Sequence, residues 1–515
     1  MNALHLNGND LDLESFAQVV LQRRPVLLEP DARERVERAR AVVDALVAGD
    51  RVAYAITTGV GQLADVRISG AQALELQINL VRSHAVGVGE PLSQGESRAM
   101  MLLRANSLAK GYSGVRPVVI DTLCQMLNRG VHPVIPSQGS VGASGDLAPL
   151  AHLALVLIGE GEAWFDGRRM NGAEAMKAAQ IPTIRIEAKE AISLINGTQA
   201  MLAVGSLALI EARTLAATAD VIGAISLDTL QGTDVAFDER IHQARPHPGQ
   251  MLVARHLRTM LEGSLLRERH RDCTRVQDAY SLRCIPQVHG AVRDVLDYAR
   301  GIFEIEMNSA VDNPLVFVKP KSAQAASHAP AEGDILSGGN FHGQPIAFAL
   351  DFLAISVAAL AGISERRIER MVNPALSEGL PAFLAAGAGL NSGFMMPQVT
   401  AAALVSENKV LGHPASVDSI TTSGNKEDYV SMGMTAALKL KRVLQNVRNV
   451  LAIEALAAAH AVDLLAPLKP GKRAQQALAV IRAASPEIHG DRSLAPDIAR
   501  VAEVIGEGKI AAVLH

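Results

Sequence analysis

Ser144 stands in Gly142-Ala143-Ser144-Gly145-Asp146, a hydroxyl set among glycines. A nucleophile elbow needs glycine two residues to either side of the serine, and Asp146 takes the second of those places. Gly59-x-Gly61-x-x-Ala64 has the outline of a dinucleotide-binding turn. That chemistry also needs a βαβ unit with an acidic residue about 20 positions on, and no parallel-strand rhythm follows. Gln277, Tyr280 and Arg283 fall at i, i+3 and i+6. On one helix that spacing sweeps about 120° and sets an amide, a phenol and a guanidinium side by side. Taken alone, Arg283 reads as half of a surface ion pair and Tyr54 as a core aromatic. Asn196 lies in an apolar run and needs a polar partner wherever it is buried. His242 and His247 sit in a Pro/Gly turn and read as structural or solvent-facing. No HExxH, EF-hand loop or paired-cysteine motif occurs, so no metal is expected.

Helices must position these groups. Apolar spacing predicts helices over 31–48, 71–83, 95–110 and 116–128, with a small strand over 4–11 and a short apolar run over 51–56. The Gly/Ser-rich break at 135–146 precedes a helix from about Leu147, for which Asp146 is the expected N-cap. Farther on, 191–230, 279–307, 344–371, 400–411 and 432–465 read as mainly helical, most of them long and apolar around much of their girth. The low-complexity stretch 318–333 reads as a surface loop, and no internal repeat is present.

Composition agrees with a helical reading. The chain has 515 residues, 49% of them hydrophobic and 20% charged, enough apolar material for a large core. Aromatics are only 3%, with alanine and leucine dominating, which favours helix packed on helix. The net charge of −4 leaves no basic footprint for nucleic acid. Cys124, Cys273 and Cys284 form no close pair and read as reduced thiols of a cytoplasmic protein. The N-terminus lacks a basic-then-apolar pattern. The uncharged run 191–210 is long enough to span a membrane, but it carries Asn196, Gly197, Thr198 and Gln199 and reads as a core helix of a soluble protein.

The segment Gly139-Ser-Val-Gly-Ala-Ser-Gly-Asp-Leu-Ala-Pro149 resembles the signature of the aromatic amino acid ammonia-lyases, and the histidine-acting members above all. The likeness extends in order through YAITTGVGQLADVR at 54–67, LVRSHAVGVG at 80–89, LINGTQ at 194–199, RPHPGQ at 245–250, QDAYSLRCIPQ at 277–287, EIEMNSAVDNPL at 304–315, SGGNFH at 337–342 and SENKVLGHPASVDS at 406–419. It implies that Ala143, Ser144 and Gly145 cyclise and dehydrate unaided into a methylidene-imidazolone (MIO), an electrophilic prosthetic group. Residue chemistry suits this. Gly145 offers an unhindered amide nitrogen to the Ala143 carbonyl, and Ser144 supplies the hydroxyl that is lost. Adding the substrate amine to an electrophile improves a poor leaving group, after which a base must take a weakly acidic β-proton. The resemblance implies catalytic roles for Tyr54, Asn196 and Tyr280, with Arg283 gripping the substrate carboxylate and Gln277 beside it.

Ser83-His84 and Glu427 match the histidine-acting branch, and Phe341 would wall the pocket. A carboxylate and an imidazole can both hydrogen-bond a substrate imidazole, so L-histidine giving trans-urocanate and ammonia is the expected reaction. A tyrosine-type lyase or aminomutase using the same electrophile is the alternative. Several positions depart from the usual pattern: Thr57, Val60, Arg82, Gly343-Gln344, Lys426, and Tyr429 where a histidine is typical. These bear on substrate choice and leave the reaction type untouched. The implied fold is mainly α and fumarase/aspartase-like: a smaller N-terminal domain over 1–195 carrying the Ala-Ser-Gly loop, then a long-helix bundle over 196–515. Family resemblance also implies a homotetramer with shared active sites, no dissociable cofactor, and no nucleic-acid or membrane partner.

Overall fold

Helix Gln94–Ala109 shows how local chemistry and tertiary packing combine. Its first turn is closed by a reciprocal cap in which the Ser93 hydroxyl accepts from Glu96 N at 3.2 Å and the Glu96 carboxylate accepts from Ser93 N at 2.7 Å. From Glu96 onward every residue is buried, two arginines included. Arg98 donates to Val19 O and Leu127 O, both at 2.8 Å, which lie in the last turns of helices Leu13–Gln22 and Pro117–Arg129. Carbonyls at a helix C-terminus lack intrahelical donors, and a buried guanidinium satisfies several at once. Arg104 does the same for Ser193 O and Asn196 O, both at 2.9 Å, at the end of helix Glu190–Ile195. Burial pushes its pKa down to about 10, against the pull of Asp312 and Asp146.

The computed structural model describes residues 2–49, 58, 70–273, 275–320 and 331–514. The short apolar run over 51–56 lies outside them. The remaining architecture is mainly helical, with small sheets only. Leu4–Leu6 pairs in parallel with Val26–Leu28, and Val88–Pro91 pairs antiparallel with Pro136–Gln138. His132–Pro133, Glu162–Phe165 and Arg168–Asn171 form a three-stranded antiparallel sheet. Leu315–Val318 pairs with Gly333–Leu336, so the connection expected over 318–333 is closed at its base by a hairpin.

Two compact units emerge: Met1–Leu207 with Arg300–Leu350 and Ala415–Leu438, and Ala208–Ala299 with Asp351–Pro414 and Lys439–His515. In the second unit, polar groups are buried deep among the helices. Glu454 accepts from the Ser226 hydroxyl at 2.6 Å and pairs with Arg367, both carboxylate and guanidinium being fully buried. Asp220 meets His256, His289 and Arg293. Burial works against that carboxylate, but Arg293 and the two histidines together hold its pKa well below the usual range. The three cysteines are unpaired. Gln199–Thr229 and Gln344–Val372 are long and apolar enough to cross a membrane, yet 67% and 61% of their most apolar windows are buried within the fold.

Three expectations need correction. The helix expected over 191–230 is two helices, Glu190–Ile195 and Gln199–Thr229, because Gly197 adopts φ +146°. The stretch 279–307 divides at Cys284 into Tyr280–Arg283 and Ile285–Met307. Asp146 precedes helix Leu147–Leu157, but its side chain does not cap it. Its carboxylate instead accepts from the Ser140 hydroxyl at 2.7 Å and Met201 N at 2.8 Å.

The buried His132 imidazole faces Trp164, the only tryptophan of the chain, across the small sheet. Burial and the nearby Arg98 and Arg23 push its pKa down from 6.5 to about 4. The unfolded chain therefore binds a proton between those values that the folded one refuses. Stability from this group is full above pH 6.5 and is lost as pH falls through 4. Urea unfolding followed by Trp164 fluorescence should give a contribution lower by about 2 kcal/mol at about pH 5 than near pH 7. The loss should be absent from His132→Gln and should therefore appear in full in the wild-type-minus-variant difference.

Candidate functional site

The Ala-Ser-Gly loop is held by three separate stretches of the first unit. Its entry strand, Pro136–Gln138, is paired with Val88–Pro91. On one side, the segment after Glu427 runs beside it: Met432 N donates to Val141 O at 2.9 Å, and the Ser431 hydroxyl to Gly142 O at 3.1 Å. Ala143 is buried in an apolar cluster with Val430 and Met432. On the other side lies the break between the two helices that flank Asn196. Gly145 at φ +71° bridges Gly197, and a Cβ at Gly145 would collide with the Gly197 carbonyl. Asp146 N closes this contact by donating to Gly197 O at 2.7 Å. The glycine at 145 is thus required twice, by backbone angle and by close approach.

Polar groups converge on Ser144. Its hydroxyl donates to Glu427 Oε1 at 2.7 Å, and Asn196 Nδ2 donates to its carbonyl oxygen at 2.6 Å. Asn196 therefore has the polar partner its sequence context demands, although it stands just past a helix end rather than within a helix. The Thr422 hydroxyl donates to Glu427 Oε2 at 2.7 Å and fixes the carboxylate plane. Beneath the loop, burial pushes the Asp146 pKa up to about 6 against the bonds it receives. Burial also raises that of Glu306, whose carboxylate accepts from the Thr198 hydroxyl.

Ser83 and His84 end helix Gly70–His84. His84 Nδ1 lies 2.8 Å from Leu80 O. A carbonyl only accepts, so Nδ1 carries a proton and, in the neutral ring, Nε2 is the acceptor nitrogen. Gly87 N donates to His152 Nε2 at 3.1 Å, tying the chain after His84 to helix Leu147–Leu157. Phe341 is half-buried in the loop that leads to Gly343, and Gly343 packs against Met201 and Ser431. Arg82 turns away, its guanidinium spread over the Glu160 carboxylate with Nε–Oε2 at 2.9 Å. Because that pair is exposed and contributes little, Arg82→Ala should leave KM within about twofold of the parent. A steady-state titration checks this.

Of the residues singled out from the sequence, the structure brings Ala143, Ser144, Gly145, Asn196 and Glu427 into direct contact or immediate succession. Tyr54 lies outside the described residues. Gln277, Tyr280 and Arg283 belong to the second unit. They do not share one helix face as their spacing suggested. Gln277 precedes the single turn Tyr280–Arg283, because Asp278 is drawn off to Thr233 N at 2.7 Å and to Arg275. Tyr280 is 71% exposed, and Arg283 Cζ lies 4.8 Å from its ring centroid. Among the described residues no carboxylate pairs with Arg283, and its Nε has no hydrogen-bond partner. Sequence reasoning missed Thr422, Arg104, Gly197 and His152. Nothing local marks Thr422 or His152, whereas a glycine following Asn196 in an apolar run was a visible helix-break signal.

Comparison with known proteins places this geometry. Residues 11–483 match the aromatic amino acid lyase family. The chain is 71% identical to a histidine ammonia-lyase of Koribacter versatilis (strain Ellin345), over 99% of each chain. A crystal structure of histidine ammonia-lyase from Trypanosoma cruzi superposes with TM-score 0.89 at 42% identity, covering 100% of this chain and 95% of that one. A tyrosine aminomutase from Streptomyces globisporus superposes with TM-score 0.91 at 38% identity, covering 99% and 98%. The fumarase/aspartase-like helical fold expected from the sequence is the one these neighbours share. The chain belongs to the aromatic amino acid lyase family and is a carbon–nitrogen lyase.

Proposed function

We propose that the protein is a histidine ammonia-lyase converting L-histidine to trans-urocanate and ammonia, with a methylidene-imidazolone formed from Ala143, Ser144 and Gly145. The observation that carries this is the carboxylate of Glu427 at 2.7 Å from the Ser144 hydroxyl. It puts an acceptor for an imidazole N–H at the reacting position. The residues fit the group: Gly145 has the backbone angle and the absent Cβ, Ala143 is seated in an apolar cluster, and the Asn196 amide holds the Ser144 carbonyl oxygen. Once formed, it supplies an electrophile that makes the substrate amine a better leaving group.

The chain's own residues do the rest. Glu427 and the acceptor nitrogen of His84 favour a ring that can donate hydrogen bonds over a purely apolar one. Arg283, which has no carboxylate partner among the described residues, suits the substrate carboxylate, and Gln277 precedes the turn that carries Tyr280. Phe341 walls the pocket. Tyr54 and Tyr280 are the two phenols placed by family likeness to take the β-proton. The exposed side chains of Met396 and Val410, at 61% and 75%, and of Phe352 at 45%, need a cover that further copies of this chain would provide. This supports self-association, for which the family likeness implies a cytoplasmic homotetramer with shared sites.

A second reading, a tyrosine-type lyase or aminomutase, draws on Tyr429. Its ring stacks on His342 at 6.0 Å between centroids and follows Glu427 by two residues. Ultraviolet assays with L-histidine, L-tyrosine and L-phenylalanine offered separately decide the matter. Urocanate from histidine alone supports the first reading. Coumarate or cinnamate instead keeps the lyase chemistry and overturns the substrate assignment.

A further inference from the structure

We propose that a cavity beside Trp164, in the first unit, binds a small molecule carrying a phosphate group, with Arg23, Arg129 and the His132 ring holding the anion. The cavity measures about 390 Å³ and is lined by those three residues together with Trp164, Phe165 and Asp166. That volume lies within the range of small-molecule sites.

Separate elements bring the cations together. Arg23 follows helix Leu13–Gln22 at φ +57°, and Arg129 ends helix Pro117–Arg129. His132 lies opposite Trp164 in the small sheet, and Arg98 stands directly behind its ring, Nη1 at 3.3 Å from Nε2. Arg98 serves Val19 O and Leu127 O, and Arg129 gives Nη1 to Ala179 O and Gln180 O, both at 2.7 Å. Carbonyls satisfy the hydrogen bonds of a guanidinium but not its charge. Among the described residues no carboxylate pairs with Arg23, Arg98 or Arg129, and the Arg23 side chain has no hydrogen-bond partner at all.

Asp166, at φ +47° in the turn after Phe165, is the one carboxylate lining the cavity. Three guanidiniums against one carboxylate leave two positive charges in excess. Their strain on one another shows at Arg98, where burial and the nearby Arg23 push the pKa down to about 10. A phosphate monoester carries a charge of about −1.5 to −2 at neutral pH, so it cancels an excess of which a monocarboxylate would cancel half.

The buried His132 ring is neutral at pH 7, its pKa pushed down to about 4 by burial, Arg98 and Arg23. A guanidinium only donates, so Nε2 accepts from Arg98 and the ring proton sits on Nδ1, a donor with no partner among the described residues. Guanidinium forks and a fixed N–H suit phosphate oxygens. Trp164 and Phe165 are half-buried and leave aromatic surface on the same cavity. That surface suits a phosphate joined to a flat ring.

Trp164 is the only tryptophan of the chain, so its fluorescence reports this cavity alone. Titration of the full-length protein with adenosine monophosphate should change that fluorescence saturably and raise Tm. Inorganic phosphate should bind about tenfold more weakly, and acetate more weakly again. Arg23→Gln should weaken the nucleotide about tenfold or more and leave the unliganded Tm unchanged, since its side chain has no bond to lose. Asp166→Asn should act in the opposite sense, tightening binding about twofold to fivefold, because asparagine tolerates the same backbone angle and only the like charge is removed. Inorganic phosphate binding as tightly as the nucleotide would assign the same cations to the free anion rather than to an ester. Silence from both phosphate compounds at millimolar concentration overturns the proposal. Adenosine binding as well as its monophosphate, or an affinity untouched by Arg23→Gln, overturns it equally.

Discussion

Ser144→Ala should lower turnover of L-histidine by at least about 10⁴-fold, on the scale seen when an enzyme loses the group that bonds to its substrate, while leaving the fold intact. The change removes one half-buried hydroxyl and one hydrogen bond, to Glu427. Everything else that shapes the loop is independent of that hydroxyl: the Gly145–Gly197 approach, the Asp146 N bond, the Met432 and Ser431 contacts and the buried Ala143 methyl. A single neutral-to-charged hydrogen bond contributes about 1.5–3 kcal/mol at most, and Glu427 keeps Thr422 and access to water. Thermal unfolding should therefore shift by a few degrees only, and intact mass should show a chain that keeps the water derived from the Ser144 hydroxyl. The same variant removes the one donor to Glu427 Oε1 found among the described residues, so an imidazole ligand should still bind. Full activity in Ser144→Ala would remove the electrophile from the mechanism.

How much of this was legible beforehand depends on the distance over which each feature is determined. Helices Pro30–Ala48 and Pro117–Arg129 follow from apolar spacing and from proline in the first turn, and both appear within a residue or two of expectation. The Ala-Ser-Gly tripeptide was legible for the same reason, since its chemistry lies in three consecutive residues. Ser144 and Glu427 are 283 positions apart, and only the family likeness joined them before the fold did. The break at Asn196–Thr198 was misread because the apolar run continues through it. What opens the helix there is tertiary: the Gly197 carbonyl is needed by Asp146 N, and Arg104 takes the Asn196 carbonyl. Gln277, Tyr280 and Arg283 were misread for a related reason. Spacing describes a face only if the helix exists, and Asp278 draws the chain away before Tyr280. Local rules thus gave elements, and buried polar partners decided where those elements stop.

The same rule makes the largest stability effect predictable in the second unit. Arg367→Met should destabilise the protein by about 3–5 kcal/mol, the range for removing one partner of a fully buried ion pair. Arg367 and Glu454 are both sealed from solvent, joined through Nε at 2.5 Å and Nη2 at 2.8 Å. Ser226 and Ser364 add their hydroxyls to the carboxylate. Without Arg367, a buried carboxylate keeps two neutral donors and no countercharge. Desolvation without compensation is what makes the single substitution costly, more than the lost attraction itself. Glu454→Leu should be costly for the mirror reason, leaving a guanidinium whose Nη1 already lacks a partner. Arg367→Met combined with Glu454→Leu should then recover much of the loss, because neither charge remains to be desolvated and the volumes are roughly conserved. Chemical denaturation of the two single variants and the double one gives the coupling directly. Additive losses in the double variant would mean that helix packing around the pair, and not the charges, holds this region together.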